Sequence, residues 1–488
     1  MQSESATIIW IWEDWRLPLT IGVLGAFLAA SLFYTPLPFV LLLGVPLCFY
    51  YFSRPYELLL LMVFLIPFNF VFKIGAVPMA VELLKVFAWI PLLVHLRASK
   101  ERFRTSRYNW CFAMVAGLLL ISIVRSDTLP FTIKECLRFL SNIGLCYLVL
   151  NLVDSRQKVL QIFRVLTYST FLVACYGFYQ FAIQDYGGLF WLINPRLDTT
   201  LAPGRVAFWE WRNRITSVLT SELELGHYFN LCVPIGIALW MTEGRKRLGS
   251  KWLWMTLAML IGLLLTFTFG AWLALPATWG VFFLLFDKKH RWKMTLAAVL
   301  VLVVLASLLL YAPVRTSLTE KVLGNGVGGL AWDVVTRLDS WKFAITTWWS
   351  HPLVGVGYGN YQILEYAHEY VHSEWGPGGS SPHETYLFLL ASLGVVGTVA
   401  ILIITLGTIR SDLRLRTDPQ LGLIALTLAF ALTANMLGWL SDDASFLGAH
   451  ANYLFWLLIG LSEAICKFKK PGDQSTSMNG QFGDMAGS

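Results

Sequence analysis

Apolar residues occur in runs of roughly 16–25 residues along most of the chain, and short polar segments separate the runs. A helix of about 20 residues crosses the hydrocarbon core of a bilayer, so each run is a candidate transmembrane helix. The runs lie near residues 17–34, 37–52, 57–73, 78–95, 109–124, 134–152, 161–183, 218–241, 252–267, 269–286, 294–312, 384–408, 421–440 and 446–463. The pattern predicts an all-α polytopic membrane protein with about 12–14 transmembrane helices.

The composition agrees with this assignment. Only 14% of the 488 residues are charged and 56% are hydrophobic, whereas water-soluble domains carry about 25% charged residues. The net charge of +7 does not indicate a nucleic-acid partner, because Lys and Arg sit in short clusters between apolar runs, where they orient helices. Most of the seven cysteines lie in apolar segments. We therefore expect them to be small buried residues and not to form a disulfide framework.

The basic clusters predict the orientation of the chain. They lie at residues 97–107, 156–164, 245–251, 288–293, 410–416 and 467–470. With about fourteen spans, every cluster falls on the same side of the membrane, and the positive-inside rule assigns that side to the cytoplasm. Both termini should therefore be cytoplasmic.

This arrangement divides the chain into four parts. Residues 1–312 hold transmembrane helices and a smaller outer loop near 184–217, 313–383 form a large outer loop, 384–466 hold the C-terminal transmembrane helices, and 467–488 form a tail. The tail is polar and rich in Gly, so we expect it to be disordered.

The large outer loop contains three readable patterns. Residues 333–352 have helical periodicity with Trp on the apolar face, which predicts an amphipathic helix on the membrane surface. GVGYGN at 355–360 predicts a sharp turn. HEYVH at 368–372 matches the zinc-binding pattern H-E-x-x-H. A catalytic zinc needs a third protein ligand; Glu374 is too close along the chain, and the following GPGGSSP breaks the helix. We therefore favour an interfacial helix, no metal and no cofactor, and keep a metalloprotease as an alternative.

Four further segments carry a family resemblance. They are RLDSW at 337–341, HPLVGVGYGNY at 351–361, HETYL at 383–387 and LGVVG at 393–397. Together they resemble the signature of the O-antigen ligase and polymerase family, and the segment at 214–240 is similar to that family's earlier Arg-containing loop and following helix. The large outer loop between many spans also fits, and the resemblance implies a GT-C-like architecture.

The resemblance implies glycan transfer at the periplasmic face of the bacterial inner membrane. The donor would be a glycan on undecaprenyl diphosphate, and the acceptor a lipid A-core (ligase) or another lipid-linked glycan (polymerase). The family is metal-independent and uses a loop histidine and arginines, which points to His383 as the catalytic base and to Arg214 and Arg337 as diphosphate ligands. Glu222 could orient an arginine or the acceptor. A single displacement would invert the stereochemistry at the sugar.

The chemistry of glycan transfer from a diphosphate requires the same groups, independently of the resemblance. A His with a free pKa of about 6.5 suits a base at neutral pH, and Arg offers a planar fork that stays charged beside a diphosphate. Structural roles are the alternatives. His383 could cap a helix, Arg214 and Arg337 could anchor lipid headgroups, and Glu222 could serve a helix dipole.

Two positions depart from the family pattern. Phe269 stands where relatives often carry Arg, and Glu384 stands where they usually carry Asn. Arg205, Arg212 or Lys321 could replace the missing arginine. Some chains of the superfamily have been labelled bicarbonate carriers, so a small-anion transporter is a further alternative. Polar residues near the midplane would favour a transporter, whereas here they concentrate in the outer loops.

Overall fold

The computed structural model describes residues 50–71, 73–74, 77–78, 80–183, 214–219, 221–244, 249–285, 330–364, 384–442, 446 and 449–468. Several sequence predictions fall outside this part of the chain. These are the spans near 17–34 and 294–312, most of the span at 37–52, the HEYVH motif at 368–372, the candidate base His383 and the tail after residue 468.

Twelve α-helices have both ends within the described residues. They are α1 Pro55–Leu65, α2 Ala80–Ser99, α3 Asn109–Val124, α4 Leu129–Leu152, α5 Arg156–Ile183, α6 Glu222–Thr242, α7 Lys251–Leu265, α8 Phe269–Leu285, α9 Leu330–Ser350, α10 Thr385–Leu415, α11 Gly422–Gly438 and α12 Ala449–Ile465. A 3-10 helix, Ile66–Val71, and a small antiparallel pair of strands, Lys73–Ile74 with Val77–Pro78, connect α1 to α2. The predicted all-α class is confirmed.

The helices agree with the hydropathy pattern. Three of those described, α5, α6 and α10, are long and apolar enough to cross a membrane by length and composition. Five shorter apolar helical segments are Pro55–Phe68, Asn109–Val124, Lys251–Leu265, Phe269–Phe282 and Gly422–Gly438. The protein is therefore a polytopic membrane protein, and the full number of spans stays a prediction.

Helix α12 is the centre of the described bundle. Every residue from Ala451 to Ile465 is buried, as expected for a helix that is mostly apolar on all sides, and Asn452, Ser462 and Glu463 are buried polar exceptions. Trp456 packs against Phe112 of α3 and Phe139 of α4, with ring centroids 5.9 Å and 5.7 Å apart. The C-terminal helix thus holds the N-terminal half of the molecule to the rest.

One end of the bundle, which we call the basic end, gathers the clusters of basic residues. Arg107 forms an ion pair with Glu463 at the end of α12, with Nε 2.7 Å from Oε1, and donates to Ser411 of α10. Arg156 donates to the carbonyl oxygen of Gln420 at 2.9 Å.

Two further contacts lie at the basic end. Arg164 pairs with Glu243 at 2.9 Å, and Lys467 donates to the carbonyl oxygen of Thr105. The clusters near 97–107, 156–164, 410–416 and 467 therefore lie at one end, as the sequence predicted; residues 245–248 and 288–293, which hold the other clusters' basic residues except Lys251, lie outside the described part of the chain.

The turn after α9 docks onto a kink in α10. Gly355 and Gly394 both have left-handed backbone, with φ of +68° and +66°. The backbone N–H of Val356 donates to the carbonyl oxygen of Ala391 at 2.9 Å, and that of Val395 donates to the carbonyl oxygen of Pro352 at 2.9 Å. A Cβ on Gly355 would lie 2.5 Å from the backbone carbon of Ser392. Two of the motifs that carry the resemblance therefore join the amphipathic helix α9 to α10.

Candidate functional site

The opposite end of the bundle, which we call the site end, contains three of the four predicted site residues. Arg214 begins a short segment that lies on α5 and α7. The N–H of Ile215 donates to the carbonyl oxygen of Leu265 at 3.2 Å, and the N–H of Ser217 donates to Gln180 Oε1 at 2.7 Å. Backbone hydrogen bonds on both sides of the chain fix the position from which the Arg214 side chain extends.

The Arg214 guanidinium has partners on all three nitrogens. Nη1 lies 2.7 Å from Glu222 Oε1, Nε donates to the carbonyl oxygen of Thr266 at 3.0 Å, and Nη2 donates to that of Phe267 at 3.3 Å. Phe267 has a φ of +51°, which is uncommon for a bulky residue. Each terminal nitrogen also carries a second N–H group.

Glu222 lies at the first position of α6. Ser221 caps this helix, because its Oγ accepts from the N–H of Glu224 at 3.1 Å, and a carboxylate in the first turn is favoured by the helix dipole. The Thr268 hydroxyl donates to the Glu222 carbonyl oxygen at 3.0 Å. The start of α6 and the turn between α7 and α8 therefore hold Arg214 from two sides.

Arg337 lies on α9 and reaches the turn that follows α11. Its Nη1 donates to the carbonyl oxygen of Ser441 at 2.8 Å. The Ser441 side chain in turn lies against Gly270, where an added Cβ would overlap its hydroxyl. Arg337 is thus connected through Ser441 to the start of α8, beside the turn that holds Arg214.

The same turn, Trp439–Asp442, also holds the start of α10. The N–H of Thr385 donates to the carbonyl oxygen of Trp439 at 2.9 Å, and its Oγ1 donates to that of Asp442 at 3.0 Å. His383 lies two residues before Thr385 in the sequence and outside the described residues. Thr385, at the start of α10, is therefore hydrogen-bonded to the same turn that accepts a hydrogen bond from Arg337.

Glu384 explains one departure from the family pattern. It is the N-cap of α10, and its Oε2 accepts from the N–H of Leu387 at 2.6 Å. Asn caps helices with the same kind of acceptor, so Glu keeps the structural role. Burial raises the pKa of the Glu384 carboxyl, and the backbone hydrogen bonds from Leu387 and Tyr386 oppose this effect.

Phe269, the other departure, begins α8. Its ring lies edge-on to Trp272, with centroids 5.4 Å apart. Arg214 binds the turn directly before Phe269, and Arg337 binds Ser441, which lies against the residue directly after it. Two arginines from other segments therefore flank the position where an arginine was expected. The substitutes suggested by the sequence, Arg205, Arg212 and Lys321, lie outside the described residues.

Sequence reasoning missed the Trp439–Asp442 turn. A signal was present, because SDD at residues 441–443 is a polar run between two predicted spans on the predicted outer side. Among the residues that the structure describes, no group of three or more His, Cys, Asp or Glu side chains is placed to hold a metal ion.

The fold and this site define a polytopic membrane protein with a polar, arginine-containing site at one end of a helical bundle. Residues 254–402 match the model of a family described as O-antigen ligase. The match covers most of α7, all of α8 and α9 and more than half of α10, and the family is the one that the sequence motifs resemble. No curated protein matches the sequence.

Proposed function

We propose that the protein is an O-antigen ligase. It transfers a glycan from undecaprenyl diphosphate to the lipid A-core at the periplasmic face of the inner membrane, with both of its termini in the cytoplasm. Its partners are then the lipid-linked donor, the lipid acceptor and the surrounding membrane lipid. The family match supports the general class of reaction, and the site end supports the chemistry.

One observation carries the proposal. Arg214 and Arg337 come from segments 123 positions apart (337 − 214), yet their partners, the turn before Phe269 and Ser441, meet at the start of α8. Two fixed guanidinium groups suit the charge that develops on a departing diphosphate. The start of α10, directly after His383, is tied to the same turn as Arg337.

The reaction is a single displacement. An acceptor hydroxyl oxygen attacks the anomeric carbon of the first donor sugar, and the bond from that carbon to the diphosphate oxygen breaks. The electron pair leaves with the diphosphate, whose charge Arg214 and Arg337 stabilise. His383 takes the hydroxyl proton. Because attack and departure occur on opposite faces, the anomeric configuration is inverted.

Complementation of a deletion strain tests the proposal. We expect His383→Ala and Arg214→Ala to abolish the glycan product at normal protein level, whereas Arg54→Ala, in a solvent-accessible ion pair at the start of α1, should leave it intact. Normal product from His383→Ala would refute the assignment of the base.

The products of the deletion strain also identify the acceptor. A strain without its ligase accumulates polymer on the lipid carrier and has no polymer on lipid A. A strain without its polymerase has single repeat units in place of polymer. Single repeat units would overturn the ligase proposal in favour of a polymerase with the same donor.

A further inference from the structure

A second carboxylate on α6, two residues after Glu222, also contacts a distant segment of the chain. Glu224 is on the same first turn of α6, and its side chain is fully buried. Its Oε1 accepts two hydrogen-bond contacts from one residue, at 2.8 Å from the backbone N–H of His450 and at 2.9 Å from the His450 Nδ1. Glu222 and Glu224 of α6 thus contact two different partners, Arg214 and His450.

The contact with Glu224 fixes the start of α12. His450 is the second residue of that helix, and the N–H groups of a first helical turn have no partner within their own helix. Glu224 supplies an acceptor from a different helix, where a negative charge is also favoured by the helix dipole. The first turn of α12 is therefore held in place by α6.

The segment that connects α11 to α12 begins at Gly438, and this end of it also contacts α6. His227 is fully buried one turn further along α6, and a Cβ on Gly438 would lie 2.6 Å from its ring. The Asp442 carboxylate interacts electrostatically with His227. Helix α6 thus contacts the chain both at Gly438–Asp442 and at His450, on either side of the connection between α11 and α12.

This connection carries the Trp439–Asp442 turn. Ser441 accepts from Arg337, and Trp439 and Asp442 accept from Thr385 at the start of α10. Any movement of the turn would therefore move one of the two arginines and the chain next to His383.

We infer that Glu224 and His450 are positioning residues for the proposed glycan transfer. Their contact fixes one end of the short connection between α11 and α12, and the Trp439–Asp442 turn at its other end holds Arg337 and the start of α10. The expected change in kcat rests on the proposed function, whereas the expected change in the position of the turn rests only on its geometry.

Three substitutions of His450 test the role kinetically. Asn places a side-chain N–H donor near the position of Nδ1, Gln places it further out, and Ala keeps only the backbone N–H. We expect His450→Ala to lower kcat for transfer at least about 10-fold, with a much smaller change in KM for the lipid-linked donor. Asn should restore most of the lost kcat and Gln little of it. Wild-type kcat in His450→Ala, or equal effects of Asn and Gln, would overturn the inference.

A measurement without catalysis separates this inference from the proposed function. Spin labels at Asp339, two residues after Arg337, and at Leu440, next to Ser441, report the distance between α9 and the turn, since both positions are exposed. We expect a narrow distribution in the parent protein, a broader one in His450→Ala and recovery in His450→Asn. An unchanged distribution in the folded Ala variant would refute the positioning role. The expected broadening in a protein that transfers no glycan would refute only the proposed function.

Discussion

Arg214 and Glu222 form a nearly buried ion pair, with Nη1 2.7 Å from Oε1 and side-chain exposures of 9% and 5%. Both residues were predicted to belong to the site, but only the structure shows that they bind each other. Glu222 therefore holds the Arg214 side chain in place and partly neutralises its charge.

Removal of the Glu222 charge should destabilise the protein. Glu222→Gln leaves Arg214 with an uncompensated charge in a nearly buried position, and breaking a buried pair costs about 3 kcal/mol or more. We expect a clear fall in the thermal midpoint in detergent. The matched control is Glu57→Gln, at an exposed pair with Arg54 of 3.5 Å, which should cost less than about 1 kcal/mol. Equal shifts in the two variants would contradict the structural role.

The contact between the turn after α9 and the kink in α10 predicts that replacing Gly355 will lower the stability of the protein. Gly355→Ala adds a Cβ against the Ser392 backbone and forces a left-handed conformation on Ala, so we expect a loss of at least about 2 kcal/mol. Gly117→Ala in α3, where nothing lies within 4 Å of the new Cβ, should be neutral or stabilise by up to about 1 kcal/mol. Thermal unfolding of the two variants compares them directly.

The buried N-cap Glu384 predicts that the effect of its substitution on stability will depend on pH. Burial raises the pKa of this carboxyl, so the folded protein binds the proton more tightly than the unfolded chain. The stability that this proton binding contributes is fully present below the ordinary carboxyl pKa and is lost as the pH rises through the raised value. The thermal midpoint of Glu384→Gln relative to the parent should therefore be higher at neutral pH than in acid.

Glu384→Ala is the control for that experiment. It removes the acceptor for the Leu387 N–H, so it should cost about 1 kcal/mol. A difference between Gln and parent that does not change with pH would show that the Glu384 carboxyl is not destabilised by burial.

The orientation of the bundle predicts which loops react with a membrane-impermeant thiol reagent. Asp127, between α3 and α4, and Thr417, between α10 and α11, are both exposed and lie at opposite ends of the bundle. In a variant without the native cysteines, we expect a cysteine at 127 to be labelled from the periplasm and one at 417 to react only after the inner membrane is disrupted. The reverse pattern would overturn the orientation inferred from the basic clusters.

The elements of this fold could be predicted from sequence because their cause is local. The span predicted at 109–124 coincides with α3, and the amphipathic pattern at 333–352 corresponds to α9. The same holds for the common end of the basic clusters, since charge placement follows helix order. The GVGYGN turn was also expected, although its role in joining α9 to α10 was not.

The arrangement of the site was decided by tertiary structure. The sequence selected Arg214, Arg337 and Glu222 by residue type and resemblance, and His383 remains a prediction from the same source. The contacts that orient them join residues far apart in the chain: Arg214 to Thr266 across 52 positions, Arg337 to Ser441 across 104, and Glu224 to His450 across 226. Hydrophobic periodicity specifies which face of a helix is buried, but not which turn of another helix meets it. Only the packing of the bundle brings these segments to one end.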